Sequence, residues 1–132
     1  MSTTASKIRE MNLVCIPTPD QDRSIRFYES LGFEKRTDIP FGDKYRWVEV
    51  YPPNGTAGLA LAPPQSEGGD QTGRETGIAI TSDDIDASHA HFKSLNIDVD
   101  DQVQRMGDPV PPMFWFRDPN GNSLMVVEPQ NQ

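Results

Sequence analysis

Residues Pro19–Glu34 read PDQDRSIRFYESLGFE, and residues Asp83–Asp98 read DDIDASHAHFKSLNID. Asp20 aligns with Asp84, Ser30-Leu31 with Ser94-Leu95 and Glu34 with Asp98, at an offset of 64 residues (84 − 20). Further along, Pro53-Asn54-Gly55 recurs as Pro119-Asn120-Gly121, and Pro63 as Pro129, at an offset of 66 (119 − 53). The matches keep one order in both halves, so the chain is one unit written twice. In the first copy MNLVCIP (11–17) is a short apolar strand stopped by prolines. Thr18 or Asp20 can cap the helix that follows, Ile25, Tyr28 and Leu31 share one face of it, and Gly32 supplies the stop. GFEKRTD (32–38), KYRWVEVY (44–51) and TAGLALA (56–62) then read as three strands separated by Gly-Asp and Pro-Asn-Gly turns.

The second copy repeats the pattern. TGIAIT (76–81) is a strand, Asp83 or Asp84 opens a helix with Ile85, Ser88, Phe92 and Leu95 inward, and NIDVDD, PPMFWFR and NSLMVVE follow as strands. Between the copies PPQSEGGDQTGRE (63–75) has no periodicity and is rich in Pro, Gly and polar residues, as a linker is. The expected organisation is a flexible N-terminus over 1–8, one unit over 9–61, a linker over 62–75 and a second unit over 76–129. A single βαβββ unit leaves one sheet face uncovered, so two units are expected to pair.

The 132 residues suffice for one domain with a real core. A formal net charge of −8 with scattered Lys and Arg argues against nucleic-acid binding, which needs clustered positive charge. No apolar run approaches the roughly 20 residues of a membrane span, and MSTTASKIRE lacks an apolar signal core. Cys15 is the sole cysteine, which rules out an internal disulfide and fits a reducing compartment. A cytoplasmic protein is therefore expected, with neither a nucleic-acid nor a membrane partner.

RFYESLGF in the first half and FRDPNGN in the second, set in paired βαβββ units, resemble the glyoxalase / bleomycin-resistance / extradiol-dioxygenase superfamily, also called vicinal oxygen chelate. The resemblance spans roughly residues 9–129. It implies an α+β fold in which the two units form a U-shaped mixed sheet with helices on its outer face, and it implies a homodimer by analogy. The superfamily holds isomerases, dioxygenases, thiol transferases and drug-sequestering binders, so the fold does not fix the chemistry.

The resemblance also implies a divalent metal held by four side chains, one from the first and one from the last strand of each unit. The first-strand position, seven residues before the helix-opening Asp, falls on Leu13 and Gly77. The last-strand position, four after the turn glycine, falls on Leu59 and Met125, or on Ala60 with a one-residue change of register. None offers the imidazole nitrogen or carboxylate oxygen that such a cation wants. His89 and His91 are the only histidines and point roughly 200° apart on a helix, so they cannot share a metal. Neither a metal nor another cofactor is expected.

Strand alternation gives the expected lining of a binding cavity. Leu13, Cys15, Leu59, Gly77, Ala79 and Met125 face inward on the outer pairs of strands; Tyr45, Trp47, Glu49, Met113 and Trp115 do so on the third strands. Apolar walls with few polar groups describe a small-molecule pocket, although the same Trp and Met stripe could be ordinary core. Gly77 and Ala79 leave space, and the two tryptophans offer facing rings for a planar guest. Cys15 reads on its own as a buried free cysteine. Glu49 would have a raised pKa in an apolar pocket and could act as acid or base, helped by Tyr45, or could pair with Arg46 or Arg117. MGDPVPPMFWF (106–116) could close over the mouth through Met106 and Val110, or be a stiff connection. The sequence thus points to metal-independent binding of a small apolar or aromatic molecule. The alternative is a lyase, isomerase or dioxygenase, either metal-free with Glu49 as acid–base group or with a non-standard metal site.

Overall fold

The computed structural model describes residues 7–43, 45–63 and 73–129. Most of the expected linker and most of the expected N-terminal segment lie outside these residues. The first unit comprises β1 (Leu13–Pro17), α1 (Gln21–Ser30), β2 (Glu34–Phe41), β3 (Tyr45–Tyr51) and β4 (Gly58–Ala62). The second comprises β5 (Glu75–Thr81), α2 (Ile85–Ser94), β6 (Asp98–Val99), β7 (Met113–Arg117) and β8 (Ser123–Val127). The α+β fold of two βαβββ units is the one expected. No helix among the described residues is long and apolar enough to cross a membrane.

The helices begin and end in the same way because the same local chemistry is repeated. Asp20 and Asp84 are the N-caps, accepting from the backbone N–H groups of Arg23 and Ala87. Leu31 and Leu95 close the helices, and the next residues, Gly32 (φ +107°) and Asn96 (φ +58°), take the left-handed conformation that turns the chain.

The eight strands form two four-stranded mixed sheets, ordered β1-β4-β3-β2 and β5-β8-β7-β6, in which β1 with β4 and β5 with β8 are parallel and the other pairs antiparallel. One face of each sheet is buried. Val48, Val50, Leu59 and Leu61 of the first sheet join Phe114, Phe116, Leu124 and Val126 of the second in a single core with Ile25, Tyr28, Ile85 and Phe92 of the helices. The helix-side faces of both sheets therefore meet in one layer, and their other faces look away from it.

The two motifs that mark the fold are what tie the units together. The Tyr28 hydroxyl donates to Asp118 Oδ2 at 2.9 Å, and Phe27 stacks on Phe116. Asp118 also accepts from the backbone N–H groups of Asn120 and Asn122 and from Asn122 Nδ2, while Asn120 Nδ2 reaches Ser24. Burial first, then the Asp118 carboxylate, pushes the Tyr28 phenol well above its ordinary pKa, so it stays a donor.

Candidate functional site

The cross-strand pairs show which residues share each free face. In the first sheet Cys15 pairs with Ala60, Ala60 with Glu49 and Glu49 with Thr37, a row across all four strands. In the second, Ala79 pairs with Met125 and Met125 with Trp115; a neighbouring row joins Thr81, Val127 and Met113. Tyr45 and Trp47 lie on the free face of β3 with Glu49, and Leu13 on that of β1. The alternation expected for β3, β7 and β8 is thus the one observed.

Leu59 is a correction. It pairs with Val50 and Val14, faces the helices and is a buried core residue; Ala60 takes the free-face position. The cause is one additional residue between the turn glycine and the strand. β4 begins at Gly58, three past Gly55, whereas β8 begins at Ser123, two past Gly121. Cys15 is a second correction: it is not a buried core cysteine but is exposed on edge strand β1. Gly77 sits in an irregularity of β5 between Glu75 and Ala79 with φ +74°, so backbone conformation is reason enough for glycine there. Trp47 and Trp115 each lie on the sheet face turned away from the shared core.

Glu49 is held differently from the ion pair that its neighbours suggested. Trp47 Nε1 donates to its Oε2 at 2.7 Å and the Tyr51 hydroxyl to its Oε1 at 2.8 Å. Arg46 is engaged with Asp38 and Asp22, and Arg117 with Asp98 and Asp100. The phenol beside Glu49 is Tyr51 rather than Tyr45; its membership of the Tyr45-Trp47-Glu49 alternation was the available signal. Its pKa is raised, chiefly by the hydrogen bond to Glu49, and the Arg36 guanidinium lies 4.6 Å from its ring centroid.

The side chains on the parallel strand pairs do not fit a hard divalent cation: Cys15 on β1 and Ala60 on β4, with Ala79 on β5 and Met125 on β8, offer a thiol, a thioether and two methyls. Among the described residues no three His, Cys, Asp or Glu side chains converge as a metal-binding group. His89 Nε2 lies 2.7 Å from the Asp100 carbonyl and its ring packs on Phe114, while His91 Nε2 lies 3.1 Å from the Ser30 carbonyl.

A cleft of about 790 Å³ lies where β1 and β5 approach each other, floored by Val14, Phe33, Leu59, Ile78 and Ile80 and rimmed by the Pro52–Gly58 turn. Of the expected lining residues it takes Leu59, Gly77 and Ala79, whereas the aromatic and thioether side chains lie on the free faces. Met106 is largely exposed and Val110 half-buried in the loop before β7.

Two βαβββ units, each with its helix packed on one face of a mixed four-stranded sheet, define a glyoxalase-like fold. The chain belongs to the Glyoxalase/Bleomycin resistance protein/Dioxygenase superfamily, whose model matches residues 10–126. A member of that superfamily from Sphaerobacter thermophilus DSM 20745 is similar in structure, with 31% identity, 92% of this chain and 98% of the other covered, and a TM-score of 0.83. TnmS3, an antibiotic binding protein from Streptomyces sp. CB03234, has 26% identity over 94% of this chain and 98% of its own, with a TM-score of 0.79. YurT of Bacillus subtilis (strain 168) is 28% identical, with 83% of this chain and 91% of YurT covered.

Proposed function

We propose that the protein binds a small apolar or aromatic molecule without a protein-held divalent metal, and that it does so as a homodimer. The observation that carries this reading is that both free faces are turned away from the one shared core. Trp47, Met113, Trp115 and Met125 are half-buried on faces turned away from the shared core, with no opposing sheet among the described residues, and Ile39 and Tyr45 are exposed on the first of these faces. A small-molecule site needs walls on both sides. A second copy related by a two-fold axis would set the first sheet of one chain against the second sheet of the other, twice. The antibiotic-binding activity of TnmS3 supports the ligand class.

The test is equilibrium binding of acridine, a flat neutral heterocycle, with and without EDTA. Trp115→Ala should weaken binding about tenfold or more, as loss of a central aromatic does, and the chelator should have no effect. Binding abolished by EDTA would overturn the metal-independent reading.

A second reading, an acid–base enzyme using Glu49, is favoured by the 2.8 Å hydrogen bond from Tyr51. Under it Glu49→Gln would lower turnover by about two to four orders of magnitude. Under the binding reading the same change leaves affinity for acridine nearly intact.

A further inference from the structure

Resting on the reading that the free faces bind a small molecule, we infer that Glu49 selects the charge of the guest, receiving a protonated nitrogen carried on a flat aromatic ring. Glu49 is half-buried on its sheet face. Its two oxygens are each held by one donor, Trp47 Nε1 and the Tyr51 hydroxyl, and both donors are neutral. These bonds fix the carboxylate in place without cancelling its charge. Each carboxylate oxygen has room for two donors, so one acceptor site remains on each.

The surrounding cations are committed elsewhere. None of the ion pairs among the described residues includes Glu49; Arg46 goes to Asp22 and Asp38, and Arg117 to Asp98 and Asp100. Arg36 stacks on the Tyr51 ring and donates to the carbonyls of Pro52, Pro53 and Gly55 and to Glu34. The row neighbours of Glu49 are Ala60, Cys15 and Thr37, which bring no positive charge.

A half-buried carboxylate left without a counter-charge is costly, and a guest that supplies one gains a charge-assisted hydrogen bond. Trp47 and Tyr51 stand two residues to either side of Glu49 on the same face, about 7 Å along the strand. The Trp47 ring adds cation–π attraction for the same group, the Tyr51 ring being engaged by Arg36. The free face of the second sheet, with Met113, Trp115, Met125 and Val127, offers thioether, indole and methyl surface suited to the ring of the guest. The two faces thus divide the recognition: one takes the charge, the other the ring.

Equilibrium dialysis at neutral pH and low salt with two probes of one ring system tests this. 9-Aminoacridine is cationic under these conditions, and acridine is neutral. The wild-type protein should prefer the cation by about tenfold or more. Glu49→Gln should abolish that preference while acridine affinity stays within about twofold. Raising the salt should erode the preference. Should Glu49→Gln fail to fold, the salt dependence decides: a salt-independent preference overturns the inference. Binding of both probes without preference, or a preference that survives Glu49→Gln, overturns it and leaves the binding reading standing. If Glu49→Gln instead splits a dimer into monomers, the carboxylate faces a cation of a second chain and the inference falls. If neither probe binds the wild type, the binding reading fails and takes the inference with it.

Discussion

The two units share strand order, helix caps and turn position, yet their free faces differ in kind. The first presents a carboxylate pinned between an indole and a phenol; the second presents Trp115, Met125, Met113 and Val127, with Arg117 at the end of β7 paired to Asp98 and Asp100. Their hairpin turns differ as well. Asp118 in the second accepts four hydrogen bonds and ties the units together, while the first unit has Pro52 at the matching place. The difference teaches that the repeat specifies the frame, and that specificity resides where the copies have diverged.

The comparison is most easily broken by removing the shared core from one side of β7. Phe114→Ala should cost about 3–5 kcal/mol in chemical denaturation, since Phe114 is fully buried. Trp115→Ala, on the opposite face, should cost well under half of that and act on ligand affinity instead. Equal losses would mean that the faces are wrongly assigned.

Asp118→Ala should cost about 3 kcal/mol, because several buried donors lose their acceptor at once. Pro52→Ala at the equivalent turn should cost about 1 kcal/mol or less. Tyr28→Phe removes a single buried hydrogen bond of that cluster and should cost about 1–2 kcal/mol.

The smallest effect concerns pH. Hydrogen bonds first from Arg46 and then from Lys35 hold the Asp38 carboxyl far below the ordinary carboxylate range. A depressed native pKa stabilises the fold above the unfolded value of about 4, and the gain is lost as pH falls toward the native value. Asp38→Asn should lower Tm at neutral pH and flatten its decline below about pH 4. Superimposable Tm profiles would show that the Asp22–Arg46–Asp38–Lys35 network contributes nothing measurable.

The frame was legible because its signals are local. Asp20, Asp84 and Gly32 announce helix ends by their own chemistry, and alternation alone grouped Trp47 with Glu49 on one face of β3 and Trp115 with Met113 on one face of β7. What misled was counting across a turn. The residue added after Gly55 moves Leu59 into the core and Ala60 onto the free face, and the irregularity at Gly77 brings Ala79 rather than Gly77 opposite Met125. The direction in which the faces look was not legible. It depends on contacts such as Tyr28 with Asp118, 90 residues apart, which no local pattern records. The partners of Glu49 were half legible: the strand puts Trp47 and Tyr51 beside it, but only the placement of Arg46 and Arg117 on other carboxylates shows that no cation among the described residues pairs with it.

Native mass spectrometry of protein purified without added metal, with elemental analysis of the same sample, tests the central claim most directly. The account predicts the mass of a dimer free of stoichiometric divalent metal, with any retained small molecule being flat and apolar or aromatic. A monomer, or a dimer with stoichiometric zinc, iron, nickel or manganese, would contradict it.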